Sequence, residues 1–106
     1  MRSAERGRTM PTYIGLMKWT EQGIRKVKET TKRAKDFQEL AAKVNVKVRE
    51  IHWIMGRYDV IVVAEAPDDE TISRLTLGLG MAGNVKTETL RAFSAQEMDK
   101  IVKGLA

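Results

Sequence analysis

The chain contains no cysteine, which excludes disulfides and thiolate-held metal alike. It has one histidine, His52, and a lone imidazole without thiolate neighbours makes a poor metal centre. No apolar run reaches the roughly 18–20 residues that a membrane-spanning helix requires. The basic N-terminal stretch lacks the apolar middle of a secretion signal. These absences set the expectation of a cytoplasmic protein that uses no metal or cofactor and makes no membrane contact.

What is present fits one folded domain. A length of 106 residues is enough for one core and short for two. The apolar fraction of 42% beside a charged fraction of 31% is that of a folded chain rather than a disordered one. The formal charge is +5, of which Arg2, Arg6 and Arg8 against Glu5 contribute +2 within the first nine residues. Met10-Pro11-Thr12 reads as a natural start, so residues 1–9 are expected to be a disordered extension and residues 10–106 the single domain.

Thr12–Met17 is rich in strand formers. Thr20 is a candidate N-cap for a helix whose apolar stripe runs through Ile24, Val27, Thr31, Ala34, Ala41 and Val44, with Phe37 and Leu40 beside it. Glu21–Arg25, Glu29–Arg33 and Glu39–Lys43 stand four apart with the acid first, the favourable order. The β-branched pair Thr30-Thr31 predicts an interruption, and Asn45 a left-handed stop. Val46–Met55 reads as a strand with a bulge near Glu50, Gly56-Arg57 as a turn, and Tyr58–Ala64 as a strand apolar on both faces. Such a strand must be covered on both sides, and a second subunit is the economical cover for the side away from the helices. A helix then starts at Ala66–Asp69, carries Ile72, Leu75 and Leu79 inward, and ends at Gly83-Asn84. Val85–Phe93 alternates as a strand. Ser94 and Glu97 have capping-box spacing ahead of a last helix with Met98, Ile101, Val102 and Leu105 facing inward. The order predicts an α+β, ferredoxin-like βαββαβ domain with one antiparallel four-stranded sheet and an added C-terminal helix.

Three stretches carry a family resemblance: Gly56–Asp68 (GRYDVIVVAEAPD), Gly83–Phe93 (GNVKTETLRAF) and Trp19–Ile24 (WTEQGI). Together they resemble the GYD-domain family from about Met10 to Val102. The resemblance implies a ferredoxin-like fold of the dimeric α+β barrel type and transfers no reaction. Asn45 and Thr30-Thr31 depart from the glycine and the Ser-Pro expected at those positions, which are cap and loop sites. Gly56, Tyr58, Asp59, Gly83, Val85, Thr87 and Thr89 also resemble the effector-binding domain of leucine-responsive regulators, with Asn84 inserted and no helix-turn-helix preceding. Those domains bind small molecules at subunit contacts.

Each candidate motif has an ordinary reading beside a functional one. Gly56-Arg57-Tyr58-Asp59 is either a hairpin turn, with Asp59 accepting backbone N–H groups, or the polar end of a cleft with Tyr58 and Asp59 as donor and acceptor. His52 is either a packed or surface side chain or a pocket acid–base group. Gly78-Leu79-Gly80-Met81-Ala82-Gly83 matches G-x-G-x-x-G by letter, but it closes a helix, where the dipole has the wrong sign for phosphate. The ordinary role of those glycines is close helix–sheet packing and a helix stop. Asp68-Asp69-Glu70 reads as capping rather than metal binding. The cations from Arg25 to Lys35 alternate with acids, as on a solvated face, so no nucleic-acid partner is expected.

These readings place a tentative ligand cleft between sheet and helices. His52, Tyr58 and Asp59 would orient a polar group there, and Tyr13 and Trp19 would supply apolar wall. The expected function is a homodimeric small-molecule-binding or accessory domain, partnered by itself, with no assignable reaction. The alternatives are a cofactor-free monooxygenase- or isomerase-like enzyme and a purely structural oligomerisation domain.

Overall fold

The computed structural model describes residues 10–106. The expectation for residues 1–9 falls outside the described residues. Strand β1 (Thr12–Trp19) leads to helix α1 (Glu21–Arg25), a 3-10 turn (Val27–Glu29) and helix α2 (Thr30–Lys43). Strands β2 (Lys47–Trp53) and β3 (Val60–Glu65) follow, then helix α3 (Asp69–Met81), strand β4 (Val85–Ala92) and helix α4 (Ala95–Lys103). The sheet order is β2-β3-β1-β4, antiparallel throughout, which is the ferredoxin-like arrangement.

Local chemistry sets the element ends. The Thr20 hydroxyl accepts the Gly23 N–H at 3.0 Å and starts α1. The interruption falls just ahead of Thr30, where the 3-10 turn separates α1 from α2. Asn45 is left-handed at φ 64°, as an αL stop requires. The Asp68 carboxylate accepts the Thr71 hydroxyl and backbone N–H, and these bonds hold its pKa below the usual value. Ser94 and Glu97 form the capping box of α4. Of the three acid-first pairs, Glu21–Arg25 and Glu29–Arg33 close at 2.8 and 3.1 Å. The further pair on α2 is Lys32–Asp36 rather than Glu39–Lys43.

The bulge explains why β2 looks apolar on both sides. The register shifts between Val48 and Glu50, so Val48 pairs with Ala64 while Ile51 and Trp53 pair with Val62 and Val60. Even- and odd-numbered apolar residues thereby share the helix side of the sheet. There they meet Tyr13, Met17, Val60, Val62 and Ala64, with Ala41 of α2 and Ile72 and Leu75 of α3 closing the core.

Three expectations are corrected. Met98, Ile101, Val102 and Leu105 do not face inward; they are 44–73% exposed, because α4 makes little contact with the other elements. Ile24, Thr31, Leu40 and Val44 are also exposed, and α2 buries Ala41 and leans on the core through Phe37. Gly78 and Gly80 are not close-packing positions, since an added Cβ would meet nothing within 4 Å. The close approach is at Gly23, where a Cβ would stand 1.9 Å from the Asn84 carbonyl oxygen.

Candidate functional site

The stretches that carried the family resemblance meet at one joint. Thr20 N–H donates to the Asn84 carbonyl at 3.1 Å, and the Thr20 hydroxyl donates to the Gly83 carbonyl at 2.5 Å. Gln22 Nε2 donates to the Ala82 carbonyl at 3.1 Å and to Asn84 Oδ1 at 2.9 Å. From the third stretch, Asp59 accepts the Trp19 backbone N–H at 2.9 Å and donates its own N–H to the Met17 carbonyl at 2.8 Å. Asp59 thus takes the backbone-accepting role, and these residues fasten the β1–α1 corner to the β2–β3 turn and to the α3–β4 corner.

The sheet itself divides the five sequence-predicted site residues. Tyr13 and Trp19 lie on the helix side. The Tyr13 ring is core, and its hydroxyl donates to the Asp69 carboxylate at the start of α3. Burial first, then the bond to Asp69, push the Tyr13 pKa up to about 12. Trp19 lines a cavity of about 80 Å3 with Met17, Phe37, Trp53 and Leu79, under Thr30 and Arg33 of α2. Trp53 Nε1–H donates to the Thr30 hydroxyl at 2.9 Å, and Arg33 pairs with Glu29, so the polar groups at its mouth are engaged within the chain. Pockets for small-molecule ligands run to roughly 300–1,000 Å3. This cavity is well below that range and suits no more than a few atoms.

His52 and Tyr58 lie on the opposite, open face. His52 pairs with Ile61 in the register, and its imidazole is 61% exposed with Nε2 at 2.9 Å from Glu50 Oε1. Its hydrogen-bond partner is Glu50, and it does not line the helix-side cavity. The Tyr58 hydroxyl donates to Glu88 Oε1 at 2.6 Å, and this bond raises the phenol's pKa. Tyr58 and Asp59 are therefore not a donor–acceptor pair: each has a different partner. Glu88 is the acid that sequence reasoning missed, and only the β1–β4 register brings it near the turn.

The open face carries Ile14, Leu16, Ile61, Val63 and Leu90 at its centre, by alternation with the helix-side residues. Among the described residues no group of three metal-ligating side chains comes together. No helix of the described residues is long and apolar enough to cross a membrane.

The family model of the GYD domain matches residues 13–102. The chain belongs to the GYD-domain family. A relative from Thermus thermophilus is 36% identical over 90 residues, covering 84% of this chain and 95% of its own length. That relative is named "Glutamine synthetase and cystathionine beta-lyase binding protein". No solved structure matches the chain significantly. In this GYD-domain chain, Trp19–Ile24, Gly56–Asp68 and Gly83–Phe93 build the three-way joint and the turn beside the open face.

Proposed function

We propose that this GYD-domain protein is a homodimeric accessory protein that acts by binding other proteins. The observation that carries the reading is the open sheet face, where Ile14, Leu16, Ile61, Val63 and Leu90 form an aliphatic patch across three strands that their own chain leaves partly exposed. A second copy covers that face with identical chemistry, which suits a two-fold contact. The α4 stripe is a second uncovered apolar surface on the same chain. The helix-side cavity supports binding over catalysis, because it is small and His52 lies on the other side of the sheet. The Thermus relative supports a protein partner, since its name records two client enzymes and the alignment spans nearly all of it.

Light scattering on the eluting protein tests the dimer, with a dimer mass expected at tens of micromolar. Ile14 and Val63 are cross-strand partners at the centre of the face. The I14K and V63K variants are expected to run as folded monomers. A wild-type monomer at that concentration overturns the dimer. Co-elution with purified glutamine synthetase and with cystathionine β-lyase tests the clients. Binding to neither enzyme removes them as partners.

A further inference from the structure

At one end of the open face lies a groove of about 240 Å3 bounded by Lys18, Arg57, Tyr58, Lys86 and Glu88. Lys18 and Lys86 are direct partners in the β1–β4 register, so two ammonium groups start from Cβ atoms held side by side. Like charges directly opposite one another across a strand pair are unfavourable. Arg57 brings a third cation from the β2–β3 turn, its guanidinium 5.9 Å from the centre of the Tyr58 ring. Among the described residues, Arg25, Arg33, Arg49, Arg74 and Arg91 each pair with a carboxylate, and Arg57 does not. Lys18 and Lys86 likewise have no carboxylate within 4.0 Å among the described residues. Glu88, the acid of the groove, accepts the Tyr58 hydroxyl, which orients that side chain.

We propose that this groove binds a small dianion, a dicarboxylate or a phosphate-bearing metabolite, with the Arg57 guanidinium on one anionic oxygen pair and the Lys18 and Lys86 ammonium groups on the other charge. Arginine suits a planar oxygen pair because its N–H groups form a matching fork, and lysine suits a point charge. A bound dianion relieves the repulsion between the two lysines. A nucleic-acid strand would instead call for cations tracking along the face together with stacking aromatics, whereas the face beyond the groove is aliphatic. All three cations come from one chain.

The test is a thermal-shift titration of the full chain with succinate and with inorganic phosphate, each against sodium chloride at equal ionic strength. At saturation, a ligand that binds only the folded state raises the midpoint by several degrees. The K18Q/K86Q double variant is expected to lose that shift. Without ligand it is expected to melt no lower than wild type, because a like-charge pair has been removed. R57Q, in an exposed turn, is expected to weaken the shift at least tenfold in midpoint concentration. A larger shift with succinate assigns a dicarboxylate, and a larger one with phosphate assigns a phosphate ligand. Equal shifts from chloride, or an undiminished shift in both variants, overturn the proposal. If the double variant does not fold, R57Q alone decides between these outcomes.

Discussion

The helix side of the sheet and its open side are built from the same four strands, yet the two are finished to different degrees. On the helix side the core residues Tyr13, Met17, Val60, Val62 and Ala64 are buried by their own chain, and the Tyr13 hydroxyl and the Trp53 indole N–H have partners in Asp69 and Thr30. Thr87 Oγ1 is the buried side-chain oxygen without a partner among the described residues. On the open side, the aliphatic residues are left partly exposed, and Lys18 faces Lys86 with no carboxylate paired to either among the described residues. The lesson is a division of labour. The helix side supplies the folding energy of the subunit, and the open side together with α4 holds surface whose burial depends on another molecule.

Several substitutions would break or sharpen that contrast. The largest effect is expected at the joint: G23A drives a Cβ into the Asn84 carbonyl and should cost about 3–4 kcal/mol in denaturant unfolding. The same change at Gly78, where an added Cβ meets nothing within 4 Å, should stabilise α3 by about 0.5–1 kcal/mol. A loss at both positions, or at neither, would mean that the joint is not where the packing is tight.

L75A on the helix side should cost about 3 kcal/mol at any protein concentration, through lost burial and a cavity. L90A on the open side should cost less than about 1 kcal/mol in dilute protein, and more as concentration rises if a second copy covers the face. Equal costs independent of concentration would erase the distinction between the faces.

Tyr13 gives a pH test confined to the helix side. Its folded pKa of about 12 lies above the unfolded value of 10.0, so the folded state holds the proton more tightly. The stability this contributes is complete below pH 10 and is lost as pH rises through about 12, a fall of order 1–3 kcal/mol. Y13F should abolish that alkaline step while costing about 1 kcal/mol at neutral pH through the lost bond to Asp69.

The smallest pair of effects compares two caps. D68A should cost about 1 kcal/mol of global stability, because α3 is part of the core. S94A should fray α4, visible as faster amide exchange from Ala95 to Lys103, and leave the global unfolding free energy of the subunit nearly unchanged.

By itself the sequence determined whatever depends on neighbours in the chain. Thr20, Asp68 and Ser94 cap because a hydroxyl or carboxylate can reach an N–H three residues on. Asn45 and Gly83 stop helices because they tolerate positive φ, and the order of elements with the period of their apolar residues dictated a ferredoxin-like sheet. The bulge in β2 was legible too, because its apolar residues change parity after Val48.

Only the tertiary structure decided which residues share a place. Tyr13, Trp19, His52, Tyr58 and Asp59 are close in pattern, but a strand's alternation sends neighbouring side chains to opposite faces, so the sheet separates them. The α4 stripe has the spacing of a buried helix, yet spacing does not say which chain buries it. The tight position at Gly23 and the facing pair of Lys18 and Lys86 come from contacts across more than sixty residues of chain, fixed by register and packing. No local spacing in the sequence encodes those distances.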